Sequence, residues 1–343
     1  MTPAAMPERV SVIVPARNEE RHIAACVRSI LAQETDAQLE VIVADGRSSD
    51  QTAELARAGG ARVVENPEQV IPTALNHALA AATGAVVIRF DAHSEMPPGY
   101  VSACLTALAE EENLGTVGGW RQVRADGPWG KALGAALASP LGIGYALRWR
   151  RPPAGMPRTD VDTVHFGCYP RQALQELGGW REDMLTNEDF ELDYRLRLSG
   201  RRVVFDPAVW SIYKPRESFS AITRQYWRYG HWKAEMLAGA PSSVRPRQLA
   251  PPALVMTALA AGRHSMLAVP ARVAIGVYAS VIGAVAARSD SGWRLAILMP
   301  TIHLTWGSSL SVYLPLAAIR RASAGVHSRS GRNGTPARAE GEA

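Results

Sequence analysis

The chain has 343 residues, 47% apolar and 20% charged, enough for one large catalytic domain with an appendage and a proper buried core. Its net charge of +5 suits phosphate-rich partners or an anionic membrane surface, while the lack of a helix-turn-helix, zinc-finger spacing or RNA-binding aromatic motif argues against nucleic acid. Cys26, Cys104 and Cys168 are odd in number and far apart, so they offer neither a disulfide framework nor a CxxC metal pair and read as buried thiols in a reducing compartment.

The N-terminus (MTPAAMPERV) shows no apolar signal stretch, so the catalytic part is expected in the cytosol. Residues 10–14 (VSVIV) predict a first strand, ended by Pro15. Residues 19–33 predict a helix with Ile23, Cys26, Val27, Ile30 and Leu31 on one face. A second strand over 39–44 closes at Asp45-Gly46, and a helix over 50–58 follows with Asp50 as its N-cap. A third strand (61–64), a helix over 72–82 with Pro72 in its first turn, and a fourth strand over 85–90 (AVVIRF) lead to Asp91. This alternation is that of an α/β domain with a parallel sheet covered on both faces. Ligands on such sheets bind at the carboxyl ends of the strands. Arg17-Asn18-Glu19, Asp45 and Asp91 all gather there.

The stretch 115–230 is less regular. Gly118-Gly119 and Gly178-Gly179 mark turns, 125–158 reads as a loop or lid, and a helix over 187–199 opens with acidic residues that suit its dipole. Beyond Pro252 charge becomes sparse. Residues 295–319 carry no charge and as a helix reach about 37 Å against a bilayer core of about 30 Å. Residues 266–287 are long enough but contain Pro270 and Arg272. The expectation is a two-span hairpin over 266–287 and 295–319, with 249–262 in the interface. A third span would put the arginine-rich tail outside, against the positive-inside tendency.

Four clusters carry chemistry. Asp45 heads the run VADGRSSD, about 30 residues after Pro15-Ala16-Arg17-Asn18-Glu19. A strand-end carboxylate accepts hydrogen bonds from a nucleobase or ribose, and two such loops side by side make a nucleotide pocket. Asp91 and His93 can both reach one divalent cation, with diphosphate oxygens filling its other positions. Mg²⁺ prefers two carboxylates and Mn²⁺ tolerates imidazole better; Glu95 is the substitute ligand if His93 is only a loop residue. In Asn187-Glu188-Asp189 a carboxylate either caps the helix or takes the proton of an attacking hydroxyl. In Gln225-Tyr226-Trp227-Arg228-Tyr229, Arg228 can bind a leaving pyrophosphate, and the aromatics either stack on a sugar or anchor at a membrane surface.

In order and spacing, PARNEE (15–20), VADGRSSDQT (43–52), the helix of Asn76, FDAH (90–93), ELGGW (176–180), NED (187–189) and QYWRY (225–229) make residues 10–230 resemble a glycosyltransferase family 2 catalytic domain. Asp91-Ala92-His93, Val161-Asp162-Thr163-Val164 and His303-x-x-Trp306-Gly307 resemble the succinoglycan-type branch of exopolysaccharide transferases. The resemblance implies the GT-A fold, Rossmann-like with a mostly parallel sheet. It implies that Pro15, Arg17, Glu19, Asp45, Asn76 and Asp91 bind the nucleotide sugar. Asp91 and His93 would hold Mn²⁺ or Mg²⁺ and the diphosphate. Asp189 would be the base, with Glu188 beside it, and Gln225, Arg228 and Tyr229 would close over the diphosphate and acceptor channel. His93 replaces the second aspartate of the usual DxD. The last motif reads QxxRY where processive synthases carry QxxRW, which favours single-sugar addition.

The expected organisation is a catalytic domain over 1–240, membrane-associated helices over 241–320, and a disordered basic tail over 321–343. The expected activity is inverting transfer of a hexose from a nucleotide diphosphate, UDP first, to a lipid-linked saccharide acceptor in exopolysaccharide synthesis. It would occur at the cell membrane with the catalytic domain cytoplasmic, alongside polysaccharide-assembly partners and without nucleic acid. The alternatives are a polyprenyl-phosphate sugar transferase and a non-catalytic nucleotide-sugar-binding protein on the same fold.

Overall fold

The computed structural model describes residues 7–142 and 146–330. β1 (Arg9–Ala16), α1 (Ile23–Leu31), β2 (Gln38–Asp45), α2 (Thr52–Ala58), β3 (Arg62–Glu65), α3 (Ile71–Ala81) and β4 (Val86–Arg89) alternate as the apolar runs predict. There follow α4 (Tyr100–Glu110), β5 (Leu114–Val123), α5 (Pro128–Ala138), a 3-10 turn (Ala146–Trp149), β6 (Thr159–Asp160), β7 (Cys168–Pro170), α6 (Arg171–Glu176), α7 (Glu188–Leu198) and β8 (Arg202–Tyr213). The chain continues through α8 (Phe219–Gly239), α9 (Ala250–Ala261), α10 (Ala268–Ala287) and α11 (Gly292–Ser330).

The strands form one sheet in the order β3-β2-β1-β4-β7-β5-β8-β6. It is mostly parallel, with β7 antiparallel to β4 and β5, and β6 antiparallel to β8. Strand alternation splits the core between two faces. Val10, Val12 and Val14 of β1 and Val86 and Ile88 of β4 pack with α1 and α4. Ile13 and Val87 point the other way, among Leu75 and Leu79 of α3, Leu174 of α6 and Leu192 and Leu196 of α7. Both faces being covered, the strands read as continuous apolar runs.

Three sequence expectations are corrected. Pro15 does not end β1, which pairs with β2 through Ala16. β4 pairs with β1 only over Val10–Ile13, so Pro15 has no β4 residue opposite it and its missing N–H costs no bond on that side. The segment 125–158 is not simply a loop, because it contains α5. Pro128 stands in that helix's first turn, and Ala132, Leu133, Ala136 and Leu137 form a buried stripe at helical spacing. The basic tail does not start irregular at 321, because α11 continues to Ser330. Arg320 bonds the Glu235 carboxylate and Arg321 donates to the Glu235 carbonyl at 3.3 Å. Residues 331–343 lie outside the described residues.

Two units emerge, and their limits differ from the expected boundary at 240. One comprises Met1–Ile222 with Tyr278–Thr301, and the other Thr223–Val277 with Ile302–Ala343. The first carries the whole sheet. In the second, Ala234, Leu237 and Leu310 form a small core with Trp306, Tyr313 and Leu314 against it, and the Tyr313 ring stacks on His231 at 3.9 Å. Arg272, awkward for a span, donates to the Ala261 carbonyl at 2.9 Å and so caps α9. Ala268–Ala287 and Gly292–Ser323 are long and apolar enough to cross a membrane by length and composition.

Candidate active site

The loops after β1 and β2 are tied together by short polar side chains. Asn18 sits at φ 54°, a left-handed conformation that Asn tolerates. Its N–H donates to Ser48 Oγ at 2.9 Å, and its Oδ1 accepts from the Ser49 N–H at 2.9 Å. Ser48 in turn donates to the Asp45 carboxylate from its hydroxyl (2.5 Å) and its N–H (3.1 Å). The Glu19 N–H donates to Thr52 Oγ1 at 2.7 Å. Asp50 accepts from the Thr52 N–H at 3.0 Å, so it serves the first turn of α2 although Gln51 is the capping position. The loops that carry Asp45 and Glu19 are thus held side by side at the sheet's carboxyl edge, with Pro15 half-buried and Arg17 exposed.

The next step along the edge is His93, whose Nδ1 lies 3.5 Å from Glu19 Oε1. The hydrogen bond to Glu19 raises the imidazole above its ordinary range, burial opposes this, and Asp91 adds to it. Asp91 follows β4, and Arg89 lies two residues before it. Alternation sends Arg89 to the face of Val87, the face covered by α7. There it is 4% exposed. Its guanidinium lies 3.4 Å from Asp91 and 3.1 Å from Glu188, and it contacts Asp189 directly. Burial works against the Arg89 charge, but the carboxylates of Asp189, Asp91 and Glu188 outweigh it. Burial pushes the Glu188 carboxyl up to about 7 in spite of Arg89. Asp189 is raised by burial, pulled down by Arg89 and pushed up by Asp91. Its Oδ2 is engaged by Arg89, while Oδ1 is buried and accepts no well-formed hydrogen bond, the nearby Trp180 indole included.

The acidic end of α7 is positioned from several sides. Asn187 precedes it at φ 66°. Before that, Gly178 (φ 71°) and Gly179 (φ 73°) make a turn that an L side chain resists. Asn76 fastens this turn: its Nδ2 donates to the Trp180 carbonyl at 2.8 Å and to Glu182 at 3.0 Å, and its Oδ1 accepts from the Trp180 N–H at 2.9 Å. Arg195 adds bonds to the carbonyls of Leu177 and Gly179, both at 2.7 Å. Both ends of the Asn76 amide are thus engaged at this turn. Asp193, one turn beyond Asp189, accepts from the Val164 N–H at 2.9 Å. Burial pushes its carboxyl up to about 7.

Among the described residues no group of three or more His, Cys, Asp or Glu side chains is arranged to hold a metal ion. Asp91 and His93 supply one carboxylate and one imidazole, with side chains 19% and 43% exposed. That donor set fits Mn²⁺ as part of a shell completed by ligand oxygens. Glu95, the substitute, pairs instead with Lys214 at 3.4 Å. Gln225, Arg228 and Tyr229 lie on α8 in the second unit, where Gln225 donates to the Tyr229 hydroxyl at 2.7 Å and Arg228 is exposed. Sequence reasoning passed over Arg89 and Asp193. The signal for Arg89 was present, as the single charge inside the buried run AVVIRF.

Residues 11–175 match the family model described as "Glycosyl transferase family 2". The chain is 29% identical over 314 residues to the succinoglycan biosynthesis protein ExoA of Rhizobium meliloti, covering 87% of this chain and 92% of that protein. It is 23% identical over 241 residues to a dolichyl N-acetyl-alpha-D-glucosaminyl phosphate 3-beta-D-2,3-diacetamido-2,3-dideoxy-beta-D-glucuronosyltransferase of Methanococcus voltae, covering 66% and 74%. Among solved structures, the mannosyltransferase PcManGT from Pyrobaculum calidifontis, in complex with GDP-Man and Mn²⁺, superposes with a TM-score of 0.59 at 22% identity, covering 93% of this chain and 88% of that one. That likeness establishes the GT-A-like fold.

Proposed function

On the premise that this chain is a glycosyltransferase with a family 2 domain of GT-A-like fold, we propose that it transfers one hexose, with inversion, from a nucleotide diphosphate, UDP first, to a hydroxyl of a lipid-linked saccharide. The setting is exopolysaccharide synthesis at the cell membrane, with the catalytic unit on the cytosolic side, alongside polysaccharide-assembly partners. The observation that carries this reading is the meeting of Asp91, Glu188 and Asp189 around the buried Arg89. A group suited to a diphosphate site and a group suited to be a base stand a guanidinium apart.

In this reading the tied loops of Arg17-Asn18-Glu19 and Asp45 take the nucleoside. Asp91 and His93 hold a divalent cation, Mn²⁺ or Mg²⁺, which neutralises charge on the diphosphate. Asp189 accepts the proton of the acceptor hydroxyl as its oxygen bonds to the anomeric carbon. The bond from that carbon to the diphosphate oxygen breaks on the opposite face, its electron pair leaves with the nucleotide, and configuration inverts. The buried Asp189 Oδ1 is the acceptor for that proton. Arg89 and the N-terminus of α7 favour the ionised carboxylate against its burial. Gln225, Arg228 and Tyr229 are assigned to the diphosphate and the acceptor, and α10 and α11 form the membrane hairpin with α9 in the interface.

The test is Asp189→Asn. Transfer, followed as UDP release with Mn²⁺ and membrane extract, is expected to be abolished, with donor affinity by calorimetry nearly unchanged, because the base acts mainly in the transition state. Equal loss of binding and turnover refutes the role.

A further inference from the structure

The segment just before β7 is held from three sides. The Gly167 carbonyl accepts from the Arg89 N–H at 3.1 Å, which continues the antiparallel register of Ile88 with Cys168. Carried one residue further, that register sets Phe166 against Phe90, and their rings are 4.5 Å apart. The next step brings His165 to the level of Asp91. From another side, the Val164 N–H donates to the Asp193 carboxylate at 2.9 Å, one turn along α7 from Asp189. Gly118 of β5 leaves the room: a Cβ there would stand 2.8 Å from Val164 Cβ and 2.9 Å from the His165 carbonyl oxygen. His165 is therefore lodged between the strand end that carries Asp91 and the helix start that carries Asp189.

The backbone is strained at this point. Phe166 has φ 52°, a left-handed conformation that costs a bulky L residue about 1–3 kcal/mol. The fold over-determines it, because the Tyr100 hydroxyl donates to the Phe166 carbonyl and the Phe166 ring is buried on Phe90. Such strain gathers at functional sites, and here the bend falls directly after His165. The His165 side chain is half-buried. Its ring lies 3.9 Å from that of Phe166, and among the described residues its ring nitrogens have no hydrogen-bond partner. Burial, then Arg121, Arg89, His93 and Arg148, hold the imidazole well below its ordinary range. Near neutral pH the ring is uncharged, with one N–H to donate and one nitrogen to accept.

We infer that His165 hydrogen-bonds a hydroxyl of the hexose being transferred, and so helps to choose which hexose the enzyme uses. This deepens the reading above and rests on it. There the hexose hangs from the diphosphate beside Asp91 and is attacked from the side of Asp189, so a group lodged between those two faces the sugar ring. An uncharged imidazole suits a hydroxyl, which offers one donor and accepts in return, whereas a diphosphate calls for a cation. A site that hydrogen-bonds a substrate hydroxyl rejects a sugar that misplaces it, because the protein's polar group is then left unpaired.

The test uses the full chain in detergent with Mn²⁺, and the probes are UDP, UDP-glucose, UDP-galactose, GDP and GDP-mannose. The first measurement needs no variant. Diethyl pyrocarbonate at about pH 6 carbethoxylates neutral imidazoles, and mass spectrometry locates the adduct. His165 is expected to react in the free chain, and to be protected by at least one of the three nucleotide sugars but not by its bare nucleotide. In calorimetry, His165→Phe is expected to lose about tenfold of the affinity for that nucleotide sugar with the nucleotide's own affinity unchanged, and His165→Asn, which keeps a donor and an acceptor, to lose less. A His165 that fails to react in the free chain, or that no nucleotide sugar protects better than its nucleotide, overturns the assignment. So does an equal loss of affinity for nucleotide and nucleotide sugar in His165→Phe. Nucleotide release is measured in parallel. Protection by a nucleotide sugar without turnover of any donor keeps the contact and ends the transferase reading, while turnover with His165 equally reactive throughout does the reverse.

Discussion

Arg89→Met tests the centre of the site through stability. The wild-type guanidinium is 4% exposed and sits among three carboxylates, at 3.4 Å from Asp91, 3.1 Å from Glu188 and in direct contact with Asp189. Methionine keeps most of the volume and removes the guanidinium at the centre of the cluster. Removing one partner of a buried pair leaves an uncompensated charge and costs about 3–5 kcal/mol. The carboxylates can escape that cost by taking up protons, and Glu188 is already pushed up to about 7 with Arg89 present. Without Arg89 the carboxyls of Glu188 and Asp189 are raised further. An acid whose folded pKa lies above its unfolded value destabilises the fold at high pH, and the cost fades as pH falls below the unfolded value. The loss is therefore about 3–5 kcal/mol near pH 8 and much smaller near pH 5. At roughly 2–4 °C per kcal/mol, the melting temperature near pH 8 drops by about 6–20 °C. Thermal unfolding of the full chain in detergent, followed by tryptophan fluorescence at both pH values, reads this directly. A drop below about 3 °C, or one equal at the two pH values, would refute the picture of a single cation holding three acids.

Gly179→Ala places a Cβ 2.4 Å from Asn76 Oδ1 at a φ of +73°, so it is expected to cost about 1–3 kcal/mol and to lower kcat with donor affinity retained; steady-state kinetics beside a melt separates the two. Asp193, pushed up to about 7, costs stability when ionised, so wild type should lose stability from about pH 4 to 7 with a slope of up to about 1.4 kcal/mol per unit that Asp193→Asn lacks. Parallel slopes in urea titrations would refute this. Chelation is expected to stop UDP release and Mn²⁺ to restore it, while Asp91→Ala should raise the Mn²⁺ needed for half-activity; full activity in excess chelator refutes the metal assignment.

The alternating strands and helices of residues 9–89 were legible because burial on a parallel sheet writes apolar runs of fixed length into the chain. The strand-end positions of Asp45 and Asp91 followed from the same runs, since a polar residue at the edge of a buried strand has solvent or ligand to face. The helix α5 was missed because the Gly, Pro and Trp content of 125–158 masked a small-residue stripe whose partners lie elsewhere in the chain. That Asn76 fastens a turn was not legible, because an amide on a helix gives no sign of which backbone will claim it. Its partner is Trp180, 104 residues away.

What the sequence determined alone was local: the strands and helices of residues 9–89, and which polar groups stand at their strand ends. What only the tertiary structure decided was which charges meet. Arg89 is an odd charge in a buried strand until α7 is folded across that face, bringing Glu188 and Asp189 to it. A buried ion is tolerable only if an opposite one arrives, and arrival across about 100 residues of chain is set by packing, which no local pattern records.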